Sequence, residues 1–132
     1  MTYSKDAIGA VEGFVDKFKF KEPEFTEEVL DYRMGLLKEE WQETDGAFRT
    51  SNPEELVDGH VDIIVIALGN LAMMGVDIQK AFDEVMRANM SKELGKRSLT
   101  DPDGVSIIKP QGWVGPDHKD NHGKLEAIFS ED

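Results

Sequence analysis

Leu36-Leu37-Lys38-Glu39-Glu40-Trp41-Gln42-Glu43, taken with Glu55-Leu56-Val57-Asp58-Gly59-His60-Val61-Asp62, decides how this 132-residue chain is read. Both stretches carry helical patterning, and each holds acids three or four residues apart. At about 100° per residue, Glu40 and Glu43 stand about 60° apart and Asp58 and Asp62 about 40° apart, so each pair lies on one helical face. If the two helices are antiparallel neighbours, up to five carboxylates converge. Like charges packed this closely repel, and a plain surface helix gains nothing from them. A divalent cation resolves the conflict, and oxygen-only donors favour Mg²⁺ or Mn²⁺. The competing reading is two solvated faces making i,i+4 pairs with bases. No Lys or Arg sits between Asp58 and Asp62, which leans towards metal.

The flanking segments extend this into a helical bundle. Upstream, Ser4 as N-cap and apolar residues at Ile8, Val11, Val15 and Phe18 predict a first helix, with Phe14, Phe18 and Phe20 clustering near its end as core. Pro23 breaks the chain before a second helix from Thr26 to about Phe48. Leu30, Met34, Leu37, Trp41 and Phe48 mark its expected buried stripe, with Leu36 alongside. Asn52-Pro53 then opens a third helix running to about Met74. Its second half, Ile63 to Leu68, is apolar on every side, and a helix like that is buried all round. A chain this short cannot easily surround it, so a homo-oligomer with this helix at the interface is expected. Gly75 closes the helix, and Asp77 starts a fourth from Ile78 to about Lys92 with Ala81, Phe82, Val85 and Met86 inward.

Beyond Glu93 the glycines and prolines describe a loop-rich tail, with a short strand at Val105-Ser106-Ile107-Ile108 and a helical turn or two from Lys124 to Phe129. The predicted fold is all-α: a four-helix bundle over residues 1–95 as the catalytic part, and a C-terminal arm, 96–132, packing on the bundle or on a neighbouring subunit.

Composition narrows the function. A net charge of −12 argues against binding nucleic-acid polymers, whose affinity comes from clustered cations, although a nucleotide bound through metal ions is compatible with it. The longest apolar stretch, Ile63 to Val76, is broken by Asn70 and two glycines and falls short of the roughly 18–20 residues of a membrane span. Cysteine is absent, which excludes a disulfide framework and a thiolate site and suits a reducing, cytoplasmic compartment.

Mg²⁺ takes few protein ligands and keeps waters and substrate phosphates, so the acid pairs point to phosphoryl chemistry. Glu39 and Glu43 are candidates to orient a water or take its proton. Arg87, Lys92 and Lys109 are candidate phosphate contacts; the alternative is cations answering a helix C-terminus. His60 turns about 200° away from both aspartates and is read as a core or interface histidine. His118 and His122 have i,i+4 spacing without further ligands and are read as solvent-exposed. Asp101-Pro102-Asp103-Gly104 reads as a turn. A di-iron bundle would need Glu-x-x-His pairs, which the chain lacks.

The ordered set Glu40-x-x-Glu43, Asp58 to Asp62, Gly75-Val76-Asp77 and Arg87-Ala88-Asn89-Met90-Ser91-Lys92 resembles the MazG-type all-α nucleoside triphosphate pyrophosphohydrolases, in particular the small stand-alone phage-like members. The likeness spans about residues 26–112. One departure stands out: where the family has an acid three residues before its aspartate, this chain has Gly59, with Asp58 as the substitute and Glu55 in reserve. The resemblance implies hydrolysis of a nucleoside triphosphate, dGTP being favoured, to monophosphate and pyrophosphate. It implies Mg²⁺ held by Glu40, Glu43, Asp58 and Asp62, with Mn²⁺ able to substitute. It further implies phosphate contacts from Asn89, Lys92 and Lys109, with Arg87 secondary, and a dimer or tetramer in the cytoplasm, the host's if phage-encoded. The base pocket is unassigned, with Phe14, Phe18 and Trp41 as candidates. The rival function is a non-catalytic helical oligomerisation or interaction module.

Overall fold

A computed structural model describes residues 6–95 and 107–130. Among them are five helices and one two-stranded ribbon, so the all-α expectation holds. The chain forms two compact units, one of the residues up to Ile78 together with those from His122 onward, the other Gln79–Asn121.

In the first unit, α1 (Ala7–Lys17) is capped by Asp6, whose carboxylate accepts from the Gly9 amide at 2.6 Å. Ser4, the expected cap, lies outside the described residues. Val11 and Val15 are buried against Ala72 and Ile78, with Ile8, Phe20, Val65, Leu68 and Leu71 packed around them. Phe14, Phe18 and Phe20 do cluster, with ring centroids of Phe14 lying 5.3 Å from each of the other two. Phe20 is half-buried against the core as expected, but Phe14 and Phe18 are not core and remain exposed.

The second helix, α2 (Glu27–Arg49), starts at Thr26, whose hydroxyl accepts from the Val29 amide, and α3 (Pro53–Met74) starts at Asn52 with Pro53 in the first turn. Gly75 ends α3 at φ 78°, the left-handed conformation that glycine adopts without a steric penalty. Thr44, late in α2, meets Gly59, early in α3, while Arg33, early in α2, meets Gly69 and bonds Asn70 at 2.7 Å, late in α3. The two helices are therefore antiparallel neighbours.

That contact line corrects the expected stripe. Leu30, Thr44 and Ala47 are buried, whereas Met34, Trp41 and Phe48 are exposed, Trp41 at 60%. Met34 follows Arg33 and Trp41 follows Glu40, so each stands about 100° round the helix from a residue on the contact line.

Among the described residues α3 is enclosed on one side only: Gly69, Asn70 and Ala72 are buried, but Val57, Val61 and Ile64 are exposed. The apolar stretch from Ile63, too short to span a membrane by itself, is continued towards the N-terminus by residues 53–62 of the same helix. The whole helix, 22 residues with a mean hydropathy of 1.6 in its most apolar window, is by length and composition long enough to cross a membrane. Core helices share that property, and the Arg33–Asn70 bond and the burial of Ala72 tie α3 into a protein core. Beyond it, α5 (Leu125–Phe129) is held by a 2.7 Å bond from the Lys124 amide to the Met74 carbonyl. Gly123, at φ 57°, lies so close that a Cβ there would collide with that carbonyl oxygen.

In the second unit α4 (Ile78–Met90) leads into β1 (Glu93–Leu94), paired antiparallel with β2 (Ile107–Ile108). The expected strand thus includes Ile107-Ile108; Val105 and Ser106, like the Asp101–Gly104 turn, lie outside the described residues. Ala81 and Val85 are half-buried, but Phe82 and Met86, expected inward, are exposed, and Ala88 is the fully buried residue of this helix. Glu84 and Arg87 pin the tail: the Asp117 amide donates to Glu84 at 3.0 Å, and Arg87 donates to the carbonyls of Gly115 and Val114.

Candidate active site

The acids of α2 and α3 are brought together by the absence of a side chain. Gly59 is buried, and a Cβ there would run into the Thr44 hydroxyl oxygen. This allows the two helix backbones to approach at the level of the acids. The Thr44 hydroxyl donates back to the Glu40 carbonyl at 2.7 Å, as threonines inside helices do. Gly59 is thus the contact point that sets the register, which accounts for the missing acid at that position.

In that register Asp62 comes close enough to Glu40, across the helix pair, to act on its ionisation. Both are half-buried, while Glu43 and Asp58 are exposed. The Glu40 carboxyl is held above the usual carboxylate range, first because it is partly withdrawn from water. The charges of Asp62, Glu43 and Asp58 then add to the shift. Uptake of a proton by Glu40 would relieve the like-charge repulsion among these acids. Glu43 and Asp58 act on Glu40 through charge rather than contact. Among the described residues no three acids or histidines stand as a ready-formed ligand group. Glu39, the other candidate base, is exposed and about 100° round α2 from Glu40.

His60 faces away from the acids, as helical geometry requires. Its Nδ1 lies 2.7 Å from the Leu56 carbonyl, an acceptor, so Nδ1 carries the proton. It is exposed rather than core, and with Trp41, Phe48, Leu56 and Ile63 it lines an open hollow of about 280 Å³. Phe14 and Phe18 lie elsewhere, in the cluster whose Phe20 ring stacks under the Arg33 guanidinium two turns before Glu40.

The candidate phosphate contacts belong to the second unit. Arg87 is committed to structure: Glu84 holds it by a 2.9 Å ion pair, which raises its pKa. Asn89 is exposed. Lys92 and Lys109 both stand over the ring of Trp113, at 5.4 and 4.9 Å from its centroid. Trp113 is the residue that pattern reading missed. Its signal was an isolated large aromatic in the otherwise glycine-rich Gly112-Trp113-Val114-Gly115. The His122 side chain, expected to be solvent-exposed, is 42% exposed and lies 2.9 Å from the Glu126 carboxylate.

The model of the family described as phosphoribosyl-ATP pyrophosphohydrolase matches residues 14–89, more than half of the chain. The matched region runs from α1 through nearly all of α4 and includes all four converging acids. No curated protein shows a match. The chain therefore belongs to the phosphoribosyl-ATP pyrophosphohydrolase family, a MazG-like group of all-α domains related to the nucleotide pyrophosphohydrolases.

Proposed function

We propose that the protein is a Mg²⁺-dependent pyrophosphohydrolase of the small stand-alone, phage-like kind, converting a deoxynucleoside triphosphate, dGTP foremost, to monophosphate and pyrophosphate. The observation that carries this reading is the gathering of acids where α2 and α3 approach, with Asp62, Glu43 and Asp58 all bearing on the Glu40 carboxyl. The donor set is all oxygen and, among the described residues, no base forms an ion pair with it, which fits a hard divalent ion. Glu40, Glu43, Asp58 and Asp62 would hold Mg²⁺, or Mn²⁺ in its place. When bound, the ion supplies Lewis acidity at the phosphoryl oxygens.

The chain's own groups do the rest. Glu43, or Glu39 beside it, orients a water and accepts its proton as the water oxygen bonds to the α-phosphorus. The bond from that phosphorus to the bridging oxygen breaks, and pyrophosphate leaves with the bonding pair. Asn89, Lys92 and Lys109 are the phosphate contacts; Arg87, whose donors are engaged, is the weakest member of that set. The exposed apolar faces of α2 and α3 (Met34, Trp41 and Phe48; Val57, Val61 and Ile64) support a homo-oligomer, dimer or tetramer; the absence of cysteine suits its working in the cytoplasm.

A second substrate comes from the family's own name. Phosphoribosyl-ATP presents the same anhydride to the same acids. Incubation with each deoxynucleoside triphosphate and with phosphoribosyl-ATP, plus Mg²⁺, separates the two. The expected products are dGMP and pyrophosphate, with dGTP consumed fastest. Diphosphate and orthophosphate would contradict attack at the α-phosphorus, and preferential consumption of phosphoribosyl-ATP would reassign the substrate.

A further inference from the structure

The register of the ribbon, Glu93 opposite Ile108 and Leu94 opposite Ile107, brings the flanking Lys92 and Lys109 to the same end, one on each strand. Two ammonium groups so placed repel. Neither has a carboxylate partner among the described residues. Both instead meet one side chain, with Nζ of Lys92 5.4 Å and Nζ of Lys109 4.9 Å from the Trp113 ring centroid. The electron-rich face of an indole attracts cations, and more strongly than that of any other side chain.

The indole is itself anchored. Its N–H donates to the Ala88 carbonyl at 2.9 Å and to the Ser91 hydroxyl oxygen at 3.0 Å, while that hydroxyl donates to the same carbonyl at 2.7 Å. Ala88 is fully buried, so the anchor is part of the packed helix. The result is a pair of flexible cations gathered by a fixed ring, with part of their ordering entropy already lost before any ligand arrives.

We propose that Trp113 is a positioning residue that presents Lys92 and Lys109 as one anchoring pair for the terminal phosphates of the substrate. The assignment rests on the pyrophosphohydrolase reading for its substrate and on the second unit alone for its geometry. Arg87 is outside the pair, because Glu84 and two tail carbonyls hold it.

The test uses inorganic pyrophosphate without divalent ions, so that the acids contribute nothing. In the intact Trp41→Phe protein Trp113 is the remaining tryptophan. Pyrophosphate is expected to change its emission saturably as the anion's charge offsets that of the two ammonium groups held over the ring, and Lys92→Met or Lys109→Met in that background to remove the response. In the otherwise native chain, Trp113→Leu is expected to weaken pyrophosphate binding about 5- to 20-fold and to raise KM with kcat within about twofold, while Trp113→Phe, keeping a π face, stays nearer the parent.

Unchanged emission, or equal pyrophosphate affinity in the parent and Trp113→Leu, overturns the proposal. The emission experiment decides even where Trp113→Leu does not fold. Pyrophosphate bound as described by a protein that hydrolyses no nucleotide would leave the anchoring pair standing and remove the pyrophosphohydrolase reading. Hydrolysis that survives Trp113→Leu with KM unchanged would do the reverse.

Discussion

Two helical i,i+3 pairs with opposite chemistry sit in the two units. Glu84 and Arg87 on α4 attract: a 2.9 Å ion pair, reinforced by the Asp117 amide, holds the Glu84 carboxyl below the usual carboxylate range. Glu40 and Glu43 on α2 repel, and loss of solvent together with Asp62, Glu43 and Asp58 holds the Glu40 carboxyl above that range. The first pair answers its own charge and secures a tail. The second leaves its charge unanswered at a close approach of two helices, where apolar or oppositely charged side chains would stabilise the fold better. Such an arrangement is retained at the expense of stability when it serves a ligand.

The sharpest way to break this contrast is at the acids. Glu40→Gln or Asp62→Asn should lower turnover by about 10³-fold or more, because each removes a group that would hold the metal or its partner. Melted without divalent ions, the same variants should be as stable as the parent or more so, since a repulsion has gone. Unaltered turnover, or a large loss of stability, would place Glu40 and Asp62 with ordinary structural residues.

A smaller effect is expected at the point that sets the register. Gly59→Ala drives a Cβ into Thr44 and should destabilise the protein by about 1–3 kcal/mol in urea unfolding, with turnover falling as the acids separate. Unchanged stability would mean that the helices are not held at this spacing.

The smallest effect belongs to the attractive pair. A depressed carboxyl contributes stability that is fully present above the unfolded value, about 4.3 for Glu, and is lost as pH falls through the lower folded value. Amide exchange at Asp117 should therefore quicken as pH falls below the ordinary Glu range, after correction for intrinsic exchange. Glu84→Gln should show the quickened exchange already at neutral pH. Protection that ignores both changes would remove Glu84 as the tail's anchor.

The legibility of these features in the sequence followed their range. The ends of α2 and α3 were readable because Thr26, Asn52-Pro53 and Gly75 act through their nearest neighbours, and the acids were readable because helical spacing and one antiparallel pairing suffice to gather them. Which aspartate acts more strongly on Glu40 was not readable, since that depends on the Gly59–Thr44 contact. Periodicity gave α2 an apolar stripe without saying which flank of it the partner covers, so Met34, Trp41 and Phe48 were placed inside. Trp113 was out of reach because its partners, Ala88, Ser91, Lys92 and Lys109, are joined to it by tertiary folding rather than by any local repeat.

The central claim is that the carboxylates of α2 and α3 hold a divalent ion for a triphosphate. Electron paramagnetic resonance titration of Mn²⁺ into the protein with a non-hydrolysable dGTP analogue tests it most directly. The account predicts saturable Mn²⁺ uptake by the parent that Asp62→Asn abolishes or weakens at least about tenfold. Absence of uptake by the parent, or equal uptake by Asp62→Asn, would contradict it.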